Sequence, residues 1–477
     1  MTANLSALLD DVEDAEMIGF AAHDVEVTSV TQDTATVVAG SLYCCIAGNV
    51  VDGHDLAGRA VDAGARSLLV ERVLDVAVPQ VRVPSTRRAV APVAAAFWDH
   101  PSSRLAVVGV TGTNGKTTTT ILLATAMRLA GRPCGVIGTL SGPRTTPAAP
   151  DVQAKLAAFV DDGCDAVAME VSSIALDQHR VDAIDFAVGV WTNLSQDHLD
   201  YHADMEAYYR AKASLFANGR CRTAVINHDD EAGRRLLADL AGSATPAVAY
   251  GIDDATDLEV GVAASRFRWR GHAVQLPLGG VHNVANAIAA ATAAEVLGVA
   301  PYVVAEGLSQ APVVTGRWEA VDAGQNFAVV VDYAHTPDGL VKVLTAAKAA
   351  VAAGSRVLVV FGCGGDRDRS KRPLMAKAAT ELADIAILTS DNPRSEDPLT
   401  IIAEAAAGDA GRGNLLIEPD RERAIGLALA QADVGDLVIL AGKGHETGQI
   451  IGDRVIPFDD REVARRLLAT ILRDRTD

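Results

Sequence analysis

Gly112-Thr113-Asn114-Gly115-Lys116-Thr117 puts two glycines, an amine and a hydroxyl between an apolar run and a helix-forming stretch. Such glycines let backbone N–H groups close around a phosphate chain, and the following helix adds the positive end of its dipole. Lys116 would neutralise the β- and γ-phosphates, and the Thr117 hydroxyl would face Mg²⁺. Val110 occupies the first glycine position of the general G-x-x-x-x-G-K-[ST] form. The N-K-x-D base-recognition element of a GTPase is missing. Instead, two further apolar runs end in Met169-Glu170-Val171-Ser172-Ser173 and Trp191-Thr192-Asn193-Leu194-Ser195-Gln196-Asp197-His198. Glu170 and His198 thus stand at strand ends beside the loop, where a carboxylate and an imidazole can ligate a phosphate-bound metal.

The elements that must position these groups alternate in type. Apolar strands are expected at Leu105–Val110, Ala166–Val171, Ala187–Thr192 and Thr223–Asn227, with a helix over Thr117–Leu129. This alternation predicts a parallel α/β sheet with ligands beyond the carboxyl ends of its strands. A second doubly wound sheet is expected from strands at Phe327–Val331, Arg356–Phe361, Ile385–Thr389 and Leu437–Leu440, with helices at Pro337–Ala352 and Leu374–Leu382. Ahead of both, Ser41–Ala47 and Ser67–Glu71 read as strands around a helix at Leu56–Ala63, a small α/β module, and Pro101-Ser102-Ser103 reads as a linker. The expected sections are 1–100, 101–318 and 319–477.

Composition agrees with three domains. The chain has 477 residues, 49% hydrophobic and 22% charged, enough for well-filled cores at roughly 150 residues per domain. A net charge of −19 repels nucleic-acid phosphates, so a nucleic-acid binder is excluded and an anionic ligand needs a local basic pocket. Cys44, Cys45, Cys134, Cys164, Cys221 and Cys363 form no C-x-x-C pair, which speaks for reduced thiols rather than zinc or redox chemistry. An acidic Met1–Glu16 without a signal-peptide pattern, and no apolar run of about 18 residues, predict a cytoplasmic protein without membrane insertion.

In order along the chain stand GTNGKT, MEVSS, TNLSQDHLDYH, Lys212 in Ala211-Lys212-Ala213, Gly316-Arg317-Trp318-Glu319 and Asp332-Tyr333-Ala334-His335-Thr336-Pro337. This series resembles the Mur ligases, ATP-dependent amide-forming enzymes of peptidoglycan precursor synthesis, from about Thr31 to Ile451. The resemblance implies three domains: UDP-binding, P-loop ATPase and Rossmann-like. It implies ATP binding by Gly112, Thr113, Asn114, Gly115, Lys116, Thr117, Thr118, Asn283, Arg317 and Asp332, with His282 and Asn286 on the adenine side. Arg317 alone reads equally as an interdomain salt-bridge residue. Catalysis would fall to Lys116, Lys212, His198 and Glu170. Mg²⁺ would be held by Thr117, Glu170, His198 and Lys212, the lysine as a carbamate. By spacing alone, Lys212 is an ordinary solvated lysine on a helix around Ala207–Phe216.

The substrates follow from the same resemblance. Thr145, Thr146, Ser172, Gln178 and Arg180 match positions that hold a UDP-muramoyl dipeptide. Asp391-Asn392-Pro393-Arg394 matches the diaminopimelate motif, with Arg367, Gly442 and Glu446 as further contacts. The physics agrees: diaminopimelate differs from lysine by a distal carboxylate, which a guanidinium binds through two parallel hydrogen bonds. Arg369, Lys371 and Arg372 are expected on a solvated face or helix cap. The implied reaction adds meso-2,6-diaminopimelate to UDP-N-acetylmuramoyl-L-alanyl-D-glutamate through an acyl phosphate, in a monomer. Three positions depart from the family pattern: the stretch Ser141–Arg144 is short, Ile174 replaces a histidine, and Ala35 replaces an arginine in Asp33-Thr34-Ala35. These departures leave open a paralogue with a different carboxylate acceptor.

Overall fold

The computed structural model describes residues 2–18, 25–48 and 51–474. The remaining positions, in the first and third expected sections, lie outside the described residues. The central sheet has six parallel strands in the order Ala247–Tyr250, Cys221–Asn227, Phe186–Trp191, Ala106–Thr111, Ala166–Glu170 and Cys134–Ile137. Ala106–Thr111 is apolar and β-branched because both its faces are covered. From it the chain runs first to one side of the sheet and then to the other. Its carboxyl end and that of Phe186–Trp191 therefore flank the point where strand order reverses, the place where such sheets bind ligands.

Two cores sandwich this sheet. On one face Val108, Val110, Leu122, Leu123 and Met127 pack against the alanine-rich helix Val281–Val296. On the other, Val107, Val167, Met169, Phe186, Trp191 and Phe216 close together. A three-stranded antiparallel sheet, Ala255–Val260, Ser265–Trp269 and His272–Leu276, adds Phe267, Trp269, Val274 and Leu276 to the first core.

The third section forms a sheet in the order Glu319–Ala320, Ala328–Asp332, Leu437–Ala441, Val357–Cys363, Ile385–Ser390 and Leu415–Ile417. All pairs are parallel except the first. Helices Pro337–Ala350 and Lys371–Leu382 cover one face and Arg421–Gln431 with Asp460–Asp474 the other. The first section is a five-stranded mixed sheet in the order Glu16–Ile18, Gln80–Arg82, Ser67–Val70, Ser41–Cys44 and Ser29–Thr31. Helix Thr86–Phe97 backs it.

The expected strands and the helix at Thr117–Leu129 are present within a few residues of their predicted ends. Two expectations are corrected. Pro101-Ser102-Ser103 is no free linker: Pro101 and Ser102 are buried in a 3-10 turn, and Asp185 N donates to Ser102 Oγ at 3.3 Å. The run Lys371-Arg372 stands in the first turn of its helix, in keeping with the helix-cap alternative, but is not solvated. Arg372 is 0% exposed and bridges Glu396 and Glu404 at 2.8 and 2.6 Å, and Lys371 is buried at the start of its helix. Only Arg369 is exposed as expected, beside Glu396. The antiparallel sheet and a hairpin, Gly448–Ile451 with Arg454–Pro457, escaped the sequence reading. Their strands are short and lack intervening helices, the cue used for the parallel sheets.

Candidate active site

Strand Ala106–Thr111 delivers the loop 112–115 to the mouth of the central sheet, and helix Lys116–Leu129 leads away from it. Only glycine suits both ends of the loop. Gly112 has φ +147°, and a Cβ there would lie 1.9 Å from Thr192 Oγ1; Gly115 has φ +88° and faces Asn286 Oδ1. The neighbouring loop stitches this one in place. Thr113 N donates to Asn193 O at 2.8 Å, and Thr192 Oγ1 donates to Asn114 O at 2.6 Å. Lys116 Nζ donates to the carbonyls of Gly112 and Thr113, both at 2.9 Å. Its ammonium thus rests on the rim of its own loop. Burial holds it below its ordinary value.

Glu170, at the end of the adjacent strand, is 1% exposed and collects three donors. Thr117 Oγ1 donates at 3.0 Å, Thr139 N at 2.8 Å and Thr139 Oγ1 at 3.2 Å. A Cβ on Gly138 would lie 2.2 Å from Glu170 Oε1. A turn ends at Ser141, where the short stretch Ser141–Arg144 begins. Thr139–Ser141 forms one 3-10 turn, with Ser141 Oγ donating to Gly138 O and accepting from Gly138 N. That turn sets the Thr139 donors on Glu170.

Lys212, predicted by spacing alone to be solvated, is 1% exposed. Its Nζ donates to Gly112 O at 2.7 Å and lies 4.7 Å from the Tyr208 ring centroid. Burial and the Lys116 charge hold this amine well below its ordinary value. His198 has φ +54° and stands 3.5 Å from Asp197; desolvation lowers its pKa as well. A hydroxyl, a carboxylate and an imidazole line the same cavity, a donor set of the kind that ligates a phosphate-bound metal, and the missing Cβ at Gly138 leaves room for the Glu170 carboxylate.

These groups line one cavity of about 800 Å³ between the central and third sections. From the predicted site it gathers Thr113 to Thr118, Thr145, Glu170, Ser172, His198, Lys212, Asn283, Arg317 and Asp332. Arg317 reaches both sections: its guanidinium donates to Thr117 Oγ1 at 3.3 Å in the central section and stacks 4.2 Å over the Tyr333 ring of the third. Asp332 is buried, accepting from Trp318 N at 2.7 Å and Ala334 N at 2.8 Å; burial raises its pKa. Asp338, which the sequence reading did not single out, accepts from Asn114 Nδ2 at 3.2 Å and pairs with Lys342 at 2.8 Å.

Thr146, Gln178 and Arg180 lie off this cavity but are tied to it through Ser172. Thr146 Oγ1 accepts from Ser172 N and donates to Glu170 O. Arg180 donates to Thr146 O at 2.9 Å and to Gln178 Oε1 at 2.6 Å.

The predicted amino-acid residues form a second cluster at the carboxyl ends of the third-section strands. At its centre is Lys443, 0% exposed and not predicted as a site residue, donating to Asn392 Oδ1 and Glu446 Oε2, both at 3.1 Å. Asn392 Nδ2 donates to Glu446 Oε2 at 2.8 Å. Arg394 has φ +53° and Nη1 donates to Gly365 O at 2.6 Å. The unpredicted hairpin fixes that backbone: Arg394 N donates to Ile450 O, and Gly452 N to Arg394 O. Pro393 is buried, Gly442 has φ +112° with Asp391 Oδ2 beside it, and Arg367 is exposed next to Arg394.

The six cysteines are unpaired, and no helix of the described residues is long and apolar enough to cross a membrane. Three family descriptions match in chain order. They are the Mur ligase family catalytic domain over residues 26–98, the Mur ligase middle domain over 110–294, and the Mur ligase glutamate ligase domain over 316–444. The chain is 47% identical over 466 residues to a Geobacillus thermodenitrificans protein named UDP-N-acetylmuramoyl-L-alanyl-D-glutamate–2,6-diaminopimelate ligase, covering 92% of this chain and 94% of that one. A Geobacillus kaustophilus protein of the same name is 46% identical, with the same coverage. A solved structure of a ligase of that name superposes with a TM-score of 0.68 at 32% identity, covering 99% of this chain and 100% of that one.

Proposed function

The chain belongs to the Mur ligase family, and from its site we infer that it adds meso-2,6-diaminopimelate to UDP-N-acetylmuramoyl-L-alanyl-D-glutamate. ATP is converted to ADP and phosphate, and an acyl phosphate is the intermediate. The observation that carries this reading is the junction of the two clusters. The phosphate loop and the third section share one cavity, and the guanidinium-bearing D-N-P-R loop stands at the carboxyl edge of the same third-section sheet.

In this reading, backbone N–H groups of the 112–115 loop and the Lys116 ammonium hold the ATP phosphates. Asn283, Arg317 and Asp332 place the nucleoside end. Thr117, Glu170 and His198, with Lys212 as a carbamate, hold Mg²⁺. The cation would supply positive charge to the phosphoryl oxygens and the developing oxyanion. An unmodified Lys212 ammonium would be a buried cation facing another cation, whereas a carbamate is an anion that complements one. Thr145, Thr146, Ser172, Gln178 and Arg180 orient the dipeptide so that its terminal carboxylate meets the γ-phosphate. Arg394, with Arg367 beside it, takes the distal carboxylate of diaminopimelate, and Glu446 faces an ammonium. Lysine would leave Arg394 unpaired. The three sections act as UDP-sugar (1–100), ATP (101–318) and amino-acid (319–477) domains of a cytoplasmic monomer.

The test is phosphate release from ATP with Mg²⁺ and the UDP-dipeptide, comparing meso-diaminopimelate, L-lysine and no amine, with the product mass measured. Turnover with diaminopimelate alone is expected. No turnover with either amine while ATP still binds would reassign the acceptor.

A further inference from the structure

Amide formation leaves one proton without a destination. The attacking nitrogen must lose a proton as it becomes an amide, and none of the residues assigned above receives it. Three imidazoles line the cavity among the described residues: His198, His282 and His335. His198 belongs to the metal side. His282 packs against Trp318 with ring centroids 5.2 Å apart, on the nucleoside side.

His335 remains, and its tautomer is fixed. Its Nδ1 lies 2.8 Å from Tyr333 O, and a carbonyl can only accept, so Nδ1 carries the hydrogen and Nε2 keeps its lone pair. Its position lies between the two halves of the reaction. His335 follows strand Ala328–Asp332 into the cavity that holds Lys116, Glu170 and Lys212. Its ring packs 4.4 Å from Tyr333, which also packs 5.1 Å from His445, adjacent in sequence to Glu446 of the amino-acid cluster. One aromatic row thus runs from the phosphate side to the amino-acid side.

We propose that His335 Nε2 accepts the proton of the attacking amine, a catalytic group that deepens the ligase reading and rests on it. The amine nitrogen bonds to the acyl carbon and gives a tetrahedral intermediate whose nitrogen is positively charged. That nitrogen passes one proton to Nε2. The carbon–oxygen bond to the phosphoryl group then breaks, and phosphate leaves with the electron pair. The imidazolium returns its proton to solvent or to the departing phosphate, and nothing is oxidised or reduced. Lys371, Asp197 and Arg317 face the ring. Burial, and then the Lys371 charge, lower its pKa to about 4, so Nε2 is unprotonated at neutral pH. The nitrogen of the tetrahedral intermediate is more acidic than a free ammonium, which narrows the gap to this weak base.

The test compares two nucleophiles on the same acyl phosphate, in the parent and in His335→Asn and His335→Gln proteins of matched thermal stability. Hydroxylamine is largely uncharged at neutral pH and traps the acyl phosphate as a hydroxamate with little help from a base. Diaminopimelate needs the base. The variants are expected to form hydroxamate within about threefold of the parent but to ligate diaminopimelate at least about 100-fold more slowly. Their ligation rate should recover toward the parent's as pH rises and hydroxide takes the proton of the tetrahedral intermediate. Equal loss of both products would overturn the proposal and give His335 a phosphate-holding or structural part; unchanged ligation would overturn it too. A parent that forms neither product from the UDP-dipeptide would bring down the substrate reading, and this proposal with it.

Discussion

Lys212 is a buried amine whose Nζ donates to the Gly112 carbonyl beside the Tyr208 ring, with the Lys116 charge disfavouring its protonation and Asp197 favouring it. If it positions the metal as a carbamate, Lys212→Ala should lower kcat on the order of 100- to 1,000-fold, the range for losing one preorganised charge-stabilising group. Circular dichroism should stay unchanged; normal turnover would remove the assignment. Arg394 makes a different kind of prediction. Its charge faces the amino-acid side only, so Arg394→Ala should raise KM for diaminopimelate about 10- to 100-fold, the loss of one charge-assisted bond pair. KM for ATP should hold within about twofold in the same assays. An equal rise in both constants would mean that the variant disturbs the site as a whole.

The element beneath that loop is held by charge as well as by packing. In the first turn of helix Lys371–Leu382, the Arg372 guanidinium ties the helix to Glu396, two residues after Arg394, and to Glu404 on helix Pro398–Ala406. Arg372→Met should lower unfolding stability by about 2 kcal/mol, the range for losing hydrogen bonds to charged groups, since Arg369 stays beside both carboxylates. Urea titration measures it. The pair also carries a pH signature. The bond from Arg372 holds Glu396 near about 2 in the folded protein, against an ordinary 4.5. As pH falls, the unfolded chain therefore binds the proton first. The stabilisation is complete above that ordinary value and is lost between it and about 2. Stability of the parent should thus fall more steeply over this window than that of Arg372→Met.

At the scale of the whole molecule, two contacts join the central and third sections beside the phosphate loop: the Arg317 guanidinium stacks over the Tyr333 ring, and Asn114 Nδ2 donates to Asp338. Both sections therefore line one cavity. Arg317→Ala should weaken ATP binding about 10-fold, as expected for losing a stacked guanidinium and its hydrogen bond. Titration with a fluorescent nucleotide reads this directly, and unchanged affinity would confine Arg317 to an interdomain contact.

The phosphate loop, Glu170, His198 and the D-N-P-R run were legible in the sequence because each is local. A glycine turn, a strand end and a four-residue motif state their chemistry within a few residues of chain. The parallel sheets were legible for the same reason, since strand and helix alternate by period. Spacing alone read Lys212 as solvated where the family resemblance read it as a metal-side carbamate, and Lys371 and Arg372 were read as a solvated face or helix cap, because charge in a sequence says nothing of what covers it. Only packing put a phenol ring and a glycine carbonyl around the first, and two glutamates around the last. Lys443, His335 and Asp338 stood in motifs already quoted or beside them, yet each acts through a partner distant in the chain or through the cavity it faces. The sequence by itself determined which groups are available for phosphate and amine chemistry. The tertiary structure decided which of them meet, because burial and proximity arise only when separate strands deliver their ends to one cleft.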